Sequence, residues 1–390
     1  MKLLNRVLSL MLAATLLVSL CACSGIPDAD PTPSPSAEES PSAEASPSPD
    51  SFTVDTAVED LTLATMGIPG DFELFSVNGH PVRACLYMYW LSYYMSYLES
   101  MGYPLDLTNN PDLVEYLKSD SLNTCIQYAL IEAKMDELDC TLSQDLQDSL
   151  DSNISMYKIM LGSEEAFNET LRQIGLDYDT YYLLNAVSYY ATALQQQLFP
   201  DKPSADELAT YIQENDILYA KHILFLTVDP TTNQPLEAEK VAEQKSAAED
   251  VLKQLQNSEN LRTEFDSLMF LYSEDSGLTS NPNGYIFTAN EMVEAFESAT
   301  RSLEFGQISG LVESPFGYHI ILRLDPANDT DDVAASCQSA KMDDQITAWL
   351  EESEIVVSDE FEALDIADFY TKYSAYAMAF AEQENADAGE

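Results

Sequence analysis

Near residue 216 the hydrophobic pattern changes period, and that change limits the folds open to this chain. Upstream, helical patterns run over 82–100, 111–138, 142–161, 163–175 and 178–198. Another helix starts at Ser204, where Ser204 and Glu207 have the spacing of a capping box. The first of these segments follows an apolar stretch at 72–77, an Asn78-Gly79 turn and Pro81. It is apolar on every side, with Leu86, Tyr87, Met88, Trp90 and Leu98 among its residues, which predicts a central or groove-lining helix. Residues 71–215 therefore read as an α-helical unit.

Downstream, 216–228 is rich in β-branched and aromatic residues and ends at Asp229-Pro230, as a strand does. Helical stripes return at 237–256 and 261–272, a turn-rich stretch covers 273–283, and 284–288 reads as a short strand. A helix at 290–303, a turn at Gly306 and a strand at 318–324 complete a β-α-α-β-α-β order. That order predicts a small α+β domain with helices packed on an antiparallel-rich sheet. The tail at 331–373 is helical and acidic, and it is expected to pack on the first helical unit, with 326–390 ending in a disordered acidic segment.

The N-terminus reads as an address. Lys2 and Arg6 precede an apolar run at 7–20 that is too short to span a bilayer, so residues 1–22 are expected to be a cleaved export signal. The sequence Leu20-Cys21-Ala22-Cys23 resembles the bacterial lipobox, which makes Cys23 the expected lipidation site. An ordinary secretory signal with Cys23 as a free thiol is the plainer reading. Residues 27–50 contain seven of the 18 prolines, six serines and six acidic residues, with no aromatic residue, Ile, Leu or Val. Such a segment buries too little apolar surface to offset its ordering entropy, so 23–70 is expected to be a tether from a lipid anchor. The globular part then lies outside the cell membrane.

The net charge of −50 argues against nucleic acid and against binding of anionic headgroups. Four cysteines remain in the globular part, Cys85, Cys125, Cys140 and Cys337, without a CxxC pair, and no metal or other cofactor is expected. Buried free thiols suit this spacing better than disulfides, although an exported location permits either.

Six motifs in order carry a resemblance across 216–325: Ala220-Lys221-His222-Ile223-Leu224; Phe265 with Leu268; Tyr272-Ser273-Glu274-Asp275; the segment from Glu291 to Glu297; Leu303 to Ser309; and Phe316-Gly317-Tyr318-His319-Ile320-Ile321. Together they resemble the parvulin prolyl isomerases. The flanking layout is similar to the PrsA and SurA foldases, in which helical parts before and after the isomerase combine into a chaperone module. The resemblance implies an α+β chain whose parvulin-like domain is inserted between parts of a SurA-N-like helical module. It implies a peptidyl-prolyl cis-trans isomerase acting on newly exported polypeptides that contain X-Pro bonds; a homodimer through the helical module is left open.

That chemistry asks little of a protein. Rotation about an X-Pro bond crosses a barrier of about 20 kcal/mol, and the twisted amide loses the resonance that separates charge. A pocket that strips water from the amide and cradles the proline ring lowers the barrier without a nucleophile. By the resemblance, Met292 and Phe296 form the floor for the ring, Phe316 stands on its far side, and Leu224 lines the site. His222 and His319 lie side by side beneath it and polarise it, while Asp275 modulates charge near the amide. Strand alternation sets His222 with Ala220 and Leu224 on one face, and His319 with Ile321 and Arg323. Taken singly, each residue has a plainer reading: a strand histidine is commonly a satisfied half-buried residue, and Met292 with Phe296 would by spacing be core. Two of only three histidines nevertheless fall on the family positions, and His80, in a turn, is read as structural.

The chain departs from the family where a paired-glycine turn is usual, since Pro282-Asn283-Gly284-Tyr285 keeps one glycine. Residues 227–232 have no Arg or Lys cluster, which argues against selection for phosphorylated Ser/Thr-Pro. Two other readings compete: a holdase whose parvulin unit is only a scaffold, and a solute-binding lipoprotein. The latter predicts two α/β lobes and conflicts with a helical 71–215.

Overall fold

A computed structural model describes residues 52–387. The expected signal, the Cys23 lipid site and the Pro/Ser-rich stretch at 27–50 lie outside the described residues. Along the chain come α1 (Leu61–Met66), β1 (Glu73–Val77), β2 (His80–Arg83), α2 (Ala84–Ser100), α3 (Pro111–Glu137), α4 (Gln144–Leu161), α5 (Glu164–Ile174) and α6 (Tyr178–Leu198). Then follow α7 (Ala205–Glu214), β3 (Leu218–Leu226), α8 (Ala238–Gln256), α9 (Leu261–Tyr272), β4 (Tyr285–Phe287), α10 (Glu294–Ser302), β5 (Val312–Glu313) and β6 (Gly317–Arg323). The chain closes with α11 (Asp332–Glu351), β7 (Ile355–Val357), α12 (Asp359–Glu362) and α13 (Ile366–Asp387).

Two compact units result, one from residues up to Pro200 together with those from Met342, the other from Asp201–Lys341. In the first, α2 is the centre: Tyr87, Met88, Trp90 and Leu91 are almost wholly buried, as its all-round apolar sequence requires. The helices around it start where the sequence supplies caps, Asn110, Ser143, Ser163 and Asp177 each accepting from a backbone N–H of the first turn. Folded structure begins before residue 70, the expected bound of the tether. Asp60 caps α1, Leu61 is buried and Gly67 ends the helix in the left-handed region, because Leu61 and Ile68 gain more from the core than from water.

This unit also holds a sheet that the helical pattern did not predict, in the order β2-β1-β7 and antiparallel throughout. Asn78 and Gly79 both have positive φ, the geometry of a two-residue hairpin turn. Asn78 also fastens the tail, its Oδ1 accepting from Glu354 N at 2.8 Å. Ser358 caps α12 and donates to Leu74 O at 2.7 Å, and the Phe361 ring packs edge-on to Phe75 and Tyr87. The helical tail runs to Asp387, beyond the expected 373, because Phe369, Tyr376 and Phe380 are buried in the core of the unit.

In the second unit the sheet order is β4-β3-β6-β5, all antiparallel. One face of β3 and β6, with Tyr219, Ile223, Phe225, Ile320 and Leu322, packs on apolar residues of α8 and α9. The other presents Leu218, Ala220 and Ile321 to Phe287 and to Phe296 of α10. Arg323 completes α10 by donating from Nη1 to Leu303 O and Arg301 O at 2.6 and 3.0 Å. The capping box at Ser204 forms as read from the sequence, and Cys85, Cys125, Cys140 and Cys337 are buried free thiols.

Candidate functional site

The face of the second sheet that meets α10 carries two histidines among apolar residues, with Arg323 at its end. His222 pairs across the ladder with Ile321, and His319 with Leu224, so the two imidazoles are diagonal neighbours on one face. Their rings stack with centroids 5.2 Å apart and 19° between planes, and the two Nδ1 atoms lie 3.0 Å apart. Both are buried. Phe296 stands edge-on to each ring, at 5.2 Å from His222 and 5.6 Å from His319, and Phe287 backs Phe296 at 5.8 Å.

Asp275 reaches this pair from the end of α9. The chain leaving the helix is pinned to β3: Glu274 N donates to Leu224 O, Leu224 N donates to Ser273 Oγ, and Leu226 N donates to Glu274 Oε2. Asp275 then caps a short turn, Oδ1 accepting from Gly277 N at 3.0 Å. Its Oδ2 accepts from the Tyr285 hydroxyl at 2.5 Å and lies 3.0 Å from His222 Nε2. At the other end of the pair, His319 Nε2 is 2.7 Å from Ser314 Oγ, which accepts from Phe316 N. A continuous chain of hydrogen bonds thus runs Ser314–His319–His222–Asp275–Tyr285.

Burial opposes ionisation of Asp275, but the bonds from His222, Tyr285 and Gly277 outweigh it and hold the carboxyl at about 2. Burial also pushes His319 down to about 3, with the neighbouring His222 acting in the same sense and Asp275 against it. The Tyr285 phenol is raised, first by burial and then by its carboxylate partner. With Asp275 ionised, one assignment satisfies every atom at neutral imidazoles. Ser314 donates to His319 Nε2, His319 Nδ1 to His222 Nδ1, and His222 Nε2 to Asp275.

Residues 222–325 match the Rotamase family, PPIC-type PPIASE domain. This part of the chain is a parvulin-type rotamase domain. Among similar proteins, the foldase protein PrsA of Staphylococcus epidermidis (strain ATCC 12228) is 26% identical over 209 residues, covering 53% of this chain and 58% of that one. PrsA of Oceanobacillus iheyensis is 32% identical over 178 residues, covering 45% and 51%. The chaperone SurA of Chromohalobacter salexigens is 28% identical over 164 residues, covering 40% and 34%. The chain thus spans a little over half the length of the first of these relatives.

Within the rotamase domain, His222, His319, Asp275 and Phe296 are in direct contact or one bond removed. Met292 is half-buried in the same apolar cluster as Phe296. It lies before α10 and not one turn along it, because the helix starts at Glu294 after Val293. Leu224 is buried on the histidine face, opposite His319. Phe316 is 44% exposed at the tip of the 314–317 turn, with its carbonyl accepting from Thr227 N. Tyr285 and Ser314 were missed from sequence. The signal for Tyr285 is the glycine before it, since φ of +106° at Gly284 lets β4 run hard against Ala220 of β3. Among the described residues no group of three or more His, Cys, Asp or Glu could hold a metal.

Proposed function

We propose that the chain is an extracytoplasmic foldase that isomerises X-Pro bonds in exported polypeptides and holds unfolded segments on its helical unit. The observation that carries this reading is the stacked imidazole pair set over the Phe296 ring and tied at both ends by hydrogen bonds. Phe296 and Met292 supply an apolar floor for a pyrrolidine ring, with Phe316 and Leu224 at its margin. His222 and His319 present a fixed dipole to the amide, and Asp275 anchors that dipole without exchanging a proton with substrate. No bond to substrate forms or breaks, so a dry and pre-oriented site is sufficient. The helical unit is proposed to bind clients, and a lipid on Cys23 to hold the whole at the extracytoplasmic face of the cell membrane through the Pro/Ser tether. No helix among the described residues is long and apolar enough to cross a membrane.

A holdase without turnover is the second reading, favoured by the engagement of Asp275, whose two oxygens already face three protein donors. Exchange spectroscopy on a Pro-containing peptide, run beside an aggregation assay, separates the two. The foldase reading expects accelerated exchange that falls at least tenfold in His222→Ala and Phe296→Ala, variants that still suppress aggregation. Exchange at the uncatalysed rate with aggregation suppressed gives the holdase. Mass spectrometry of the mature N-terminus should find diacylglycerol on Cys23; an unmodified start elsewhere removes the anchor.

A further inference from the structure

Two arrangements of protons fit the chain from Ser314 to Asp275, and they run in opposite directions. In the first, described above, Asp275 is an anion and every donor points toward it. In the second, one extra proton sits on the Asp275–His222 pair. His222 Nδ1 then donates to His319 Nδ1, and His319 Nε2 donates to Ser314 Oγ. Both satisfy the same distances.

Tyr285 bears on which arrangement prevails. Its hydroxyl donates to the very oxygen that faces His222. Its position there is built, because a Cβ on Gly277 would collide with the Tyr285 hydroxyl, so the turn capped by Asp275 keeps that space open. Gly284 serves the same end from the other side, since a Cβ there would stand 2.7 Å from Ala220 O and hold β4 away. The other charged groups nearby are turned elsewhere. Glu274 is engaged by Leu226 N and Gln244, and Lys221, on the opposite face of β3, pairs with Asp266. The groups facing Asp275 are therefore His222 from β3 and Tyr285 from β4, with His319 of β6 one ring further.

We propose that Tyr285 is a positioning residue: by donating to Asp275 it selects the proton arrangement in which both imidazoles are neutral and every donor points toward the carboxylate. Its link to turnover rests on the foldase reading, whereas its effect on proton placement does not. Without the hydroxyl, the half-buried Asp275 carboxylate loses one of its donors and takes up the extra proton at higher pH.

Tyr285→Phe keeps the ring and deletes only the donor. In the full-length chain, ring 15N shifts of His222 and His319 are followed from neutral pH into acid, beside the pH profile of peptide cis-trans exchange. The wild type is expected to carry its protons on His222 Nε2 and His319 Nδ1. In the variant the pattern should reverse at a pH about one unit higher, the loss of about one hydrogen bond. The acid limb of kcat/KM should move by the same amount. Ring patterns and acid limbs that coincide with wild type would overturn the proposal. If the wild type itself fails to speed exchange, the foldase reading falls and the nitrogen shifts alone decide the role of Tyr285. Should Tyr285→Phe not fold, Gly277→Ala displaces the hydroxyl with the tyrosine intact and is expected to give the same reversal.

Discussion

Between about pH 6.5 and 3, the unfolded chain binds a proton at His319 that the folded domain refuses, because burial and His222 hold the imidazole neutral. The unfolded state then carries the larger number of bound protons, so stability falls as pH falls through this window. Asp275 extends the loss from 3.8 to about 2, since its folded carboxyl is the stronger acid. His319→Gln should flatten the upper part of this dependence. Thermal melts of variant and wild type should converge toward acid, and parallel curves would place the acid sensitivity elsewhere. The two histidines were legible in the sequence because strand alternation fixes their faces and only three exist in the chain. Tyr285 was not, because its partner is supplied by a turn ten residues earlier whose direction no local pattern encodes. Ser314 was hidden for a similar reason: nothing in its own neighbourhood shows that it meets His319 Nε2.

Strand β4 has only three residues, yet it carries Tyr285 to Asp275 and Phe287 to Phe296. Its approach to β3 depends on Gly284. In Gly284→Ala the new methyl meets a positive φ and the Ala220 carbonyl together, at a cost of about 1–3 kcal/mol. Amide exchange should quicken in Ala220 and Tyr285, which face each other across that ladder, while the β3–β6 pairing stays protected. Uniform loss of protection would mean that β4 is not a separate element of the site. Element types were read correctly wherever periodicity was long, as in α3, α6, α8 and α9. The misses are short. Strand β7 is three residues in an acidic stretch, and it becomes a strand only because Phe75, Ser76 and Val77 offer it an edge. Helix α10 begins later than its pattern suggested, and Met292 keeps its place by packing beside Phe296, not by helical spacing.

At the scale of the molecule, the first unit is made from two stretches separated by the whole of the second. The resemblance to foldases anticipated that insertion; periodicity alone did not, since an acidic helical tail could equally have stood apart. Deleting residues 352–390 removes β7 and the buried rings of Phe361, Phe369, Tyr376 and Phe380. At about 3–5 kcal/mol for each lost aromatic, against a total of about 5–15 kcal/mol, the first unit should not fold. Calorimetry is expected to retain one transition in the truncated protein, that of the rotamase domain, out of two in the full chain. Two surviving transitions would show that the tail is dispensable.

The bond between Glu354 N and Asn78 Oδ1 joins residues 276 apart, and it closes an edge of β1. A chain delivered N-terminus first leaves that edge bare until β7 has arrived, with the inserted domain already able to form in the interval. For as long as threading lasts, then, this protein has the same weakness that it is proposed to guard against in others: a strand waiting for a late partner, open to capture by the wrong one.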